Sequence, residues 1–226
     1  LSKGCLDYVQ RKGAKEVEYL PNGADLKLFK YFPLPDESKG FTFERPFKIV
    51  YSGAHGLVNG LKNVIDAARK LENLPIVFYF IGDGQEKENL KKYSMGLKSV
   101  FFDNPIPQKK IPSYLASADA ILISLADIDL FKYGVSPNKL YDAYAIGRPV
   151  LTTIPGLINN EVDKYNVGIS AKAGNADDLA TSVKKLFLSD KKNRDQMSIN
   201  ARKLAETHYS RKLTCEKFYK IIEKYF

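Results

Sequence analysis

A regular alternation of short apolar runs with amphipathic segments constrains the fold of this chain more than any other feature. The runs are of strand length and almost continuously apolar, as in Ile76–Ile81. Such strands are typical of a parallel sheet covered by helices on both faces, because both sides of each strand are then buried. The sequence therefore predicts an α/β fold with a doubly wound parallel sheet. The predicted strands are 17–20, 47–52, 75–82, 98–103, 119–125, 149–153 and 167–170, and the predicted helices are 61–73, 85–96, 111–118, one from Ser136 to Gly147, and three from near Asn175, Asp190 and Ser210.

Length and composition exclude several classes of protein. The chain has 226 residues, of which 44% are hydrophobic, enough for a sizeable core in one large domain or two small ones. No apolar run approaches the roughly 20 residues of a membrane helix. Cys5 and Cys215 lie far apart in sequence and predict neither a disulfide framework nor a zinc site, so we expect a reducing cytoplasm. Ser2 to Gly13 resemble the middle of a polar helix, and we expect the chain to be a fragment.

The formal charge of +9 is concentrated near the carboxyl terminus. Residues 184–224 hold twelve Lys or Arg and five Asp or Glu. Nucleic acid, anionic lipid or an acidic partner could each bind such a segment. Apolar residues recur there at helical spacing, which favours the solvated face of amphipathic helices.

The candidate site is centred on residues 134–149. Ser136 is a suitable N-cap, Pro137 suits the first helical position, and Gly147 provides a stop. The preceding strand places this helix start near the edge of the sheet where open α/β folds bind ligands. Backbone N–H groups at Asn138 and Lys139, the helix dipole and the Lys139 ammonium all favour an anion such as phosphate.

Asp142 lies one helical turn beyond Lys139. Its two carboxylate oxygens are suited to accept hydrogen bonds from a sugar diol. The alternative is a surface ion pair with Lys139 at i,i+3 spacing, worth a few tenths of a kcal/mol.

Two glycine-containing turns follow the first two main strands. The first runs from Gly53 through His55 and Gly56 to Gly60, and the second is Gly82-Asp83-Gly84. Glycine allows a ligand to approach the backbone closely, so both turns are candidates for phosphate contact. A purely structural strand-to-helix turn, with His55 as an ordinary turn histidine, is the alternative in each case.

Five motifs occur in a characteristic order over about residues 15–190. They are Tyr19-Leu-Pro-Asn-Gly-Ala-Asp25 with Phe29, Ser52-Gly53 with Gly60, Ile81-Gly-Asp-Gly84, Tyr114-Leu-Ala-Ser-Ala-Asp119, and Ser136-Pro-Asn-Lys-Leu140 with Gly147-Arg-Pro-Val150. This set resembles the carboxyl-terminal half of retaining glycosyltransferases of family four, which have the GT-B fold. The variants at Gly53–Gly56 and at Gly134–Leu140 resemble most the branch that builds bacterial capsule or O-antigen polysaccharides.

The resemblance implies a Rossmann-like domain that binds a nucleotide diphosphate sugar, usually a UDP-sugar. A preceding acceptor domain, absent here, would end in residues 1–13. The donor domain would then span 14–207, and a crossover helix would occupy 208–226. Without its partner domain, that helix would expose an apolar patch at Leu213, Phe218, Ile221, Ile222, Tyr225 and Phe226.

The resemblance also assigns roles to single residues. Asp142 would bind the ribose hydroxyls, and Ser136 to Lys139 would contact the diphosphate. The loop Asn104 to Pro107, which includes Ile106, would hold the base. Lys139 would be the catalytic residue. The candidate donor-binding residues are Gly53, His55, Gly56, Asp83, Gly84, Asn104, Ile106, Pro107, Ser136, Pro137, Asn138, Lys139 and Asp142.

The chain departs from the family pattern at three positions. Gly134 stands where the family commonly has a glutamate, eight residues before the position of Asp142. Ala54 and Asn59 stand where the family commonly has an arginine and a lysine after the first strand. Lys139, with Lys132 or Arg148, would then have to neutralise the leaving diphosphate.

We therefore expect the donor half of a hexosyl- or N-acetylhexosaminyltransferase, inactive as a fragment. It would be cytoplasmic, in peripheral contact with the inner face of the plasma membrane or a lipid-linked acceptor. We expect no cofactor and no metal, since no Asp-x-Asp run is present. A GT-B sugar-nucleotide epimerase is one alternative, although histidine and glutamate are scarce around the site. A non-catalytic nucleic-acid-binding module is the other, but the tail lacks a recognition motif, so we expect no nucleic-acid partner.

Overall fold

The structure is a computed structural model that describes residues 2–35 and 40–224, without the side chain of Lys132. Its centre is a six-stranded, wholly parallel sheet. From one edge to the other its strands are Val100–Asp103, Ile76–Ile81, Phe47–Ser52, Ala120–Ile123, Val150–Thr152 and Gly168–Ser170. Register follows the apolar runs, with Phe47 opposite Ile76 and Ile121 opposite Val150. The doubly wound parallel α/β fold predicted from sequence is confirmed. The strands are β1 Phe47–Ser52, β2 Ile76–Ile81, β3 Val100–Asp103, β4 Ala120–Ile123, β5 Val150–Thr152 and β6 Gly168–Ser170.

Helices connect the strands and cover both faces of the sheet. Single 3-10 turns occur at Lys3–Cys5, Leu57–Asn59 and Gln108–Lys110. The α-helices are α1 Leu6–Arg11, α2 Leu61–Arg69, α3 Lys87–Tyr93, α4 Ile111–Ala116, α5 Asp129–Lys132, α6 Asn138–Ile146, α7 Leu157–Lys164, α8 Ala176–Leu188, α9 Lys191–His208 and α10 Arg211–Glu223.

The core consists of two apolar layers, one on each face of the sheet. In β1, Ile49 and Tyr51 face the layer formed by α2, α3 and α8, whereas Val50 faces the layer formed by α4, α6, α7 and α9. Successive strand residues point to opposite faces, which explains why β1 is apolar at nearly every position. Each such side chain, fully buried, contributes about 1.5–3 kcal/mol.

The three carboxyl-terminal helices begin where the sequence predicts. Asn175, Asp190 and Ser210 each accept, through the side chain, a hydrogen bond from the backbone N–H three residues later. These N-caps satisfy donors that have no partner inside the helix. The caps explain why the starts were readable from sequence alone.

Two local predictions are wrong. The central helix begins at Asn138 rather than just after Ser136, because Pro137 has extended backbone angles (φ −75°, ψ 124°). The Ser136 hydroxyl, expected to cap the helix, is hydrogen-bonded instead to the Tyr141 hydroxyl at 2.8 Å. Residues 17–20 form no strand; nearby, Ala24 makes a single parallel bridge to Ser210.

Helix α10 carries the apolar residues expected at its surface. Leu213, Phe218 and Ile222 are exposed, while Ile221 is half-buried. Tyr225 and Phe226 lie outside the described residues. The division into 1–13, 14–207 and 208–226 stays a prediction, although α9 ends at His208 and α10 starts at Arg211. Among the described residues, no helix combines the length and apolar character needed to cross a bilayer.

Candidate functional site

The candidate site lies at the carboxyl-terminal edge of the sheet, beside the start of α6. A cavity of about 140 Å³, here called the α6 cavity, opens there. Lys139 and Asp142 both line it, so the side chains singled out from sequence share one space. Its other lining residues are Phe29, Ser52, Gln108, Ile111, Leu115, Ile121 and Leu122.

Lys139 reaches from α6 to the end of β1. Its ammonium donates a hydrogen bond to the Tyr51 hydroxyl at 3.0 Å and lies 4.2 Å from the centre of the Tyr51 ring. No carboxylate among the described residues pairs with this ammonium. Burial therefore lowers the pKa of Lys139 to about 8.

Asp142 lies in the same cavity but is not paired with Lys139. Its carboxylate makes no hydrogen bond or ion pair with another described residue. Burial raises the pKa of Asp142 to about 7, and the positive charge of Arg211 opposes part of that rise. The surface ion pair considered as the alternative is thus not formed, and a carboxylate with free acceptor positions faces the cavity.

The start of α6 offers donors as well as a charge. The N–H groups of Asn138 and Lys139 belong to the first turn, where no carbonyl of the same helix can accept from them. Asn138 is exposed, so its position is accessible to a ligand. Upstream, the Ser136 carbonyl accepts from the Asn22 side chain at 2.8 Å, which ties the amino-terminal segment to this loop.

The two glycine turns pack against each other through their backbones. A Cβ atom on Gly82 would lie 2.0 Å from the Gly53 carbonyl oxygen, and one on Gly84 would lie 2.6 Å from the His55 carbonyl oxygen. Asp83 is exposed, and its carboxylate accepts from the Gly84 N–H at 2.8 Å. Close packing of the two turns accounts for these glycines, whereas Gly53 also borders the ammonium of Lys139.

His55 lies in the core rather than on the ligand side of its turn. Its side chain is fully buried, and its ring packs near Tyr51, Phe80 and Phe102. Neither ring nitrogen has a hydrogen-bond partner among the described residues. Burial, reinforced by the positive charge of Lys87, lowers the pKa of His55 to about 4. The ring is therefore neutral at physiological pH and does not meet a ligand in this arrangement. Gly56 precedes the 3-10 turn Leu57–Asn59 and does not line the α6 cavity.

A buried lysine that the sequence did not reveal holds the loop after β3. The Lys87 ammonium donates to the Gly82 carbonyl (2.8 Å), the Asp103 carbonyl (3.0 Å) and the Asn104 side-chain oxygen (3.1 Å). It joins the carboxyl ends of β2 and β3 and positions the segment predicted to hold a base. In that segment Ile106 packs on the core, and Pro107 precedes the 3-10 turn that carries Gln108 to the cavity.

The structure corrects one proposed helper of Lys139. Arg148 is completely buried, and its guanidinium donates to the carbonyls of Phe32, Pro33, Ala116 and Gly147 at 2.5–3.0 Å. It anchors an incoming loop and cannot neutralise a ligand in the α6 cavity. The side chain of Lys132 lies outside the description.

Two of the three departures from the family pattern, Gly134 and Asn59, occupy packed positions, whereas Ala54 is exposed. A Cβ on Gly134 would lie 2.1 Å from the Ser2 hydroxyl oxygen, so a larger residue would displace Ser2. Asn59 is buried, and the Ala54 carbonyl accepts from the Tyr51 hydroxyl at 2.7 Å. These residues are integrated into the fold around the site.

Sequence reasoning missed Tyr51, Lys87, Ser52, Phe29 and Gln108 as members or supports of the site. Tyr51 lies in a mostly apolar strand, and nothing local distinguishes its hydroxyl. Ser52 and Phe29 occur in the ordered motifs that indicate the family, but the motifs do not identify them as site residues. The contacts that matter join distant parts of the chain, which a local pattern does not encode.

Comparison with known proteins identifies the family of this chain. The family described as Glycosyl transferases group 1 matches residues 35–204. A putative colanic acid biosynthesis glycosyl transferase, WcaI of Escherichia coli (strain K12), is 28% identical over 173 residues, which cover 68% of this chain and 39% of that protein. A probable glycosyltransferase, WbjE of Pseudomonas aeruginosa, is 25% identical over 197 residues, covering 83% and 48%. The chain thus spans less than half the length of these curated relatives.

Solved structures share the fold. Sucrose-phosphate synthase from Thermosynechococcus elongatus superposes with a TM-score of 0.75 at 18% identity, over 100% of this chain and 57% of that one. HepE from Anabaena, in complex with UDP and glucose, gives 0.75 at 20% identity, over 96% and 59%. Because the family match covers most of the chain and the parallel sheet is that of GT-B enzymes, this chain belongs to the group 1 glycosyltransferases of the GT-B fold, similar to family four.

Proposed function

We propose that this chain is the donor-binding half of a glycosyltransferase that transfers a sugar from a UDP-sugar to an acceptor in surface polysaccharide biosynthesis. The observation that carries the proposal is the half-buried ammonium of Lys139 at the start of α6. Among the described residues it has one neutral acceptor, and it shares its cavity with a carboxylate, that of Asp142, which none of them pairs.

A bound anion provides the opposite charge that the described residues do not place beside the Lys139 ammonium. Placing a cation in a partly buried site is unfavourable unless an opposite charge accompanies it. The described residues supply none next to Lys139, whereas the first-turn N–H groups of α6 and the helix dipole add further attraction for a negative group. A diphosphate accepts hydrogen bonds from the Lys139 ammonium and from the backbone N–H groups of Asn138 and Lys139 together.

Asp142 provides the second half of the recognition. A carboxylate with free lone pairs accepts two hydrogen bonds from adjacent hydroxyls, as the ribose of a nucleotide offers. Lys139 and Asp142 lie on one face of α6, so a diphosphate at the helix start leaves its ribose one turn further along. Gln108 lines the same cavity and directly follows the loop 104–107, which is why that loop is the candidate for holding the base.

The chemistry assigned to this half is stabilisation of the leaving group. As the sugar departs, negative charge grows on the diphosphate, and the ammonium of Lys139 and the two N–H groups stabilise it. No metal ion is required in this proposal. The sugar is transferred with retention of configuration, and it is a hexose or an N-acetylhexosamine.

The names and ligands of similar proteins support the pathway and the nucleotide. One relative is named for colanic acid biosynthesis, and structures of HepE contain UDP with glucose or UDP-glucose. In the proposal, a preceding domain binds the acceptor, so this chain alone binds the donor but transfers nothing. The full protein acts in the cytoplasm, in peripheral contact with the membrane or with a lipid-linked acceptor.

Calorimetric titration with UDP, GDP and ADP tests the assignment. We expect UDP to bind in the micromolar to millimolar range and Lys139→Ala to weaken it about tenfold, or roughly 1.4 kcal/mol. Lys184→Ala, which removes an exposed lysine of α8, is the matched control and leaves the affinity unchanged. Equal UDP affinities for Lys139→Ala and the unmodified chain would remove Lys139 from the site. Preference for GDP or ADP would reject the uridine donor.

A further inference from the structure

We propose that Tyr51 is a positioning residue that holds the Lys139 ammonium at the phosphate-binding point. This inference rests on the proposed function, because it concerns how the same site is prepared for its diphosphate. Tyr51 is only 1% exposed and reaches the ligand solely through Lys139.

The hydrogen bonds give the Tyr51 hydroxyl a defined orientation. The hydroxyl donates its one proton to the Ala54 carbonyl at 2.7 Å, so its lone pairs are left for the Lys139 ammonium at 3.0 Å. The same ammonium lies 4.2 Å from the ring centre, close enough for a cation–π contact. One tyrosine thus joins β1, the first glycine turn and α6.

The neighbouring glycine makes room for this contact. A Cβ atom on Gly53 would lie 3.0 Å from the Lys139 ammonium nitrogen and 3.4 Å from the Tyr51 hydroxyl oxygen. With hydrogen alone at that position, the ammonium stays beside the backbone of the turn. Two of its three N–H groups have no acceptor among the described residues and remain for a ligand.

Preorganisation is the benefit of this arrangement. A free lysine side chain loses rotamer entropy when it is fixed on a ligand. Tyr51 fixes it beforehand, so less is lost on binding. For core packing alone the hydroxyl is unnecessary, since a buried hydroxyl is unfavourable unless it is hydrogen-bonded and phenylalanine fills nearly the same volume.

Tyr51→Phe removes the hydroxyl and keeps the ring. Tyr79→Phe is the matched control, because Tyr79 is also a strand tyrosine with a lysine, Lys48, 4.5 Å from its ring centre. We expect Tyr51→Phe to weaken UDP binding about three- to tenfold at pH 7.5, since a hydrogen bond to a charged group is lost. The control keeps the affinity of the unmodified chain.

A pH series distinguishes positioning from packing. Lys139 attracts UDP only in its charged form, so affinity falls as pH rises through the Lys139 pKa of about 8. The other titratable groups near Lys139 are the same in the unmodified chain and in Tyr51→Phe, so the difference between the two pH profiles reports on the lysine. His55 is neutral, Asp142 is mostly ionised, and burial keeps the Tyr51 phenol protonated by raising its pKa. Without the hydroxyl as acceptor the ammonium form is less favoured, so the fall in affinity moves to lower pH in Tyr51→Phe.

Gly53→Ala perturbs the same contact from the other side and serves as a second variant if Tyr51→Phe does not fold. We expect it to weaken UDP binding as well. If Lys139→Ala weakens UDP binding about tenfold while neither variant changes the affinity or its pH profile, Tyr51 is only a core residue and the inference is overturned. If Lys139→Ala itself binds UDP normally, the proposed function fails instead.

Discussion

Replacing Asp142 by asparagine removes a charge that the fold tolerates poorly. The carboxylate is largely buried, without a hydrogen bond or ion pair from the described residues, and burial raises its pKa from an ordinary 3.8 to about 7. Asparagine has nearly the same shape and no charge. We therefore expect Asp142→Asn to make the free protein more stable and UDP binding weaker.

The size of the effect follows from the pKa. At about 1.4 kcal/mol for each pKa unit, the rise from 3.8 to about 7 corresponds to about 4 kcal/mol. The carboxylate borders an open cavity, and water reaching it reduces that penalty. We expect a gain of about 1–2 kcal/mol in the free energy of unfolding at pH 8.

The gain depends on pH in a defined direction. Because the folded-state pKa lies above the unfolded-state value, the native protein binds the proton more tightly than the unfolded chain. The stability that this one proton contributes is fully present below about pH 4 and is lost as the pH rises toward 7. The advantage of Asp142→Asn is therefore absent near pH 4 and complete above pH 7.

Urea unfolding at pH 4.5 and pH 8, with UDP calorimetry at pH 8, measures both consequences. Asp7→Asn, which changes an exposed aspartate of α1, is the control and stays within about 0.5 kcal/mol at either pH. The reasoning is refuted if Asp142→Asn is no more stable at pH 8, or if its gain is the same at both values. Unchanged UDP affinity would remove Asp142 from the ribose site.

Two further substitutions test the supports of the site. Lys87→Met leaves three oxygen acceptors without their buried ammonium, so we expect urea unfolding to show a free energy of unfolding lower by about 2–3 kcal/mol. A decrease below about 0.5 kcal/mol would show that the three hydrogen bonds do not hold the loop. Gly147→Ala ends α6 with a side chain at φ +72° and places Cβ 2.5 Å from the Tyr31 ring, so we expect a loss of about 1–2 kcal/mol; an equally stable variant would mean that the loop carrying Tyr31 moves without cost.

Local patterns in the sequence account for most of the fold. Apolar runs such as Ile76–Ile81 form strands of the sheet, because a parallel sheet covered on both faces buries most positions of a strand. Asn175, Asp190 and Ser210 predicted three helix starts, since a cap acts within three residues of its own position. The same reasoning placed Lys139 and Asp142 on one face of α6, one turn apart.

Local reasoning failed where a distant residue decided the outcome. Ser136 has the chemistry of an N-cap, but its hydroxyl is hydrogen-bonded to the Tyr141 hydroxyl, and the extended backbone at Pro137 makes the helix begin one residue later than predicted. Arg148 resembles a free cation in the sequence, yet it is fully bonded to carbonyls of other segments.

The sequence by itself determined the order of the six strands of the sheet, the caps of the three carboxyl-terminal helices, and the charged residues at the start of α6. Only the tertiary structure decided which groups meet there. Tyr51 and Lys139 are 88 residues apart, and Lys87 reaches oxygens on two other elements. Propensity and capping act over one or two turns, whereas the partner of a buried charge is chosen by packing, so the Tyr51–Lys139 contact arises only when β1 and α6 come together.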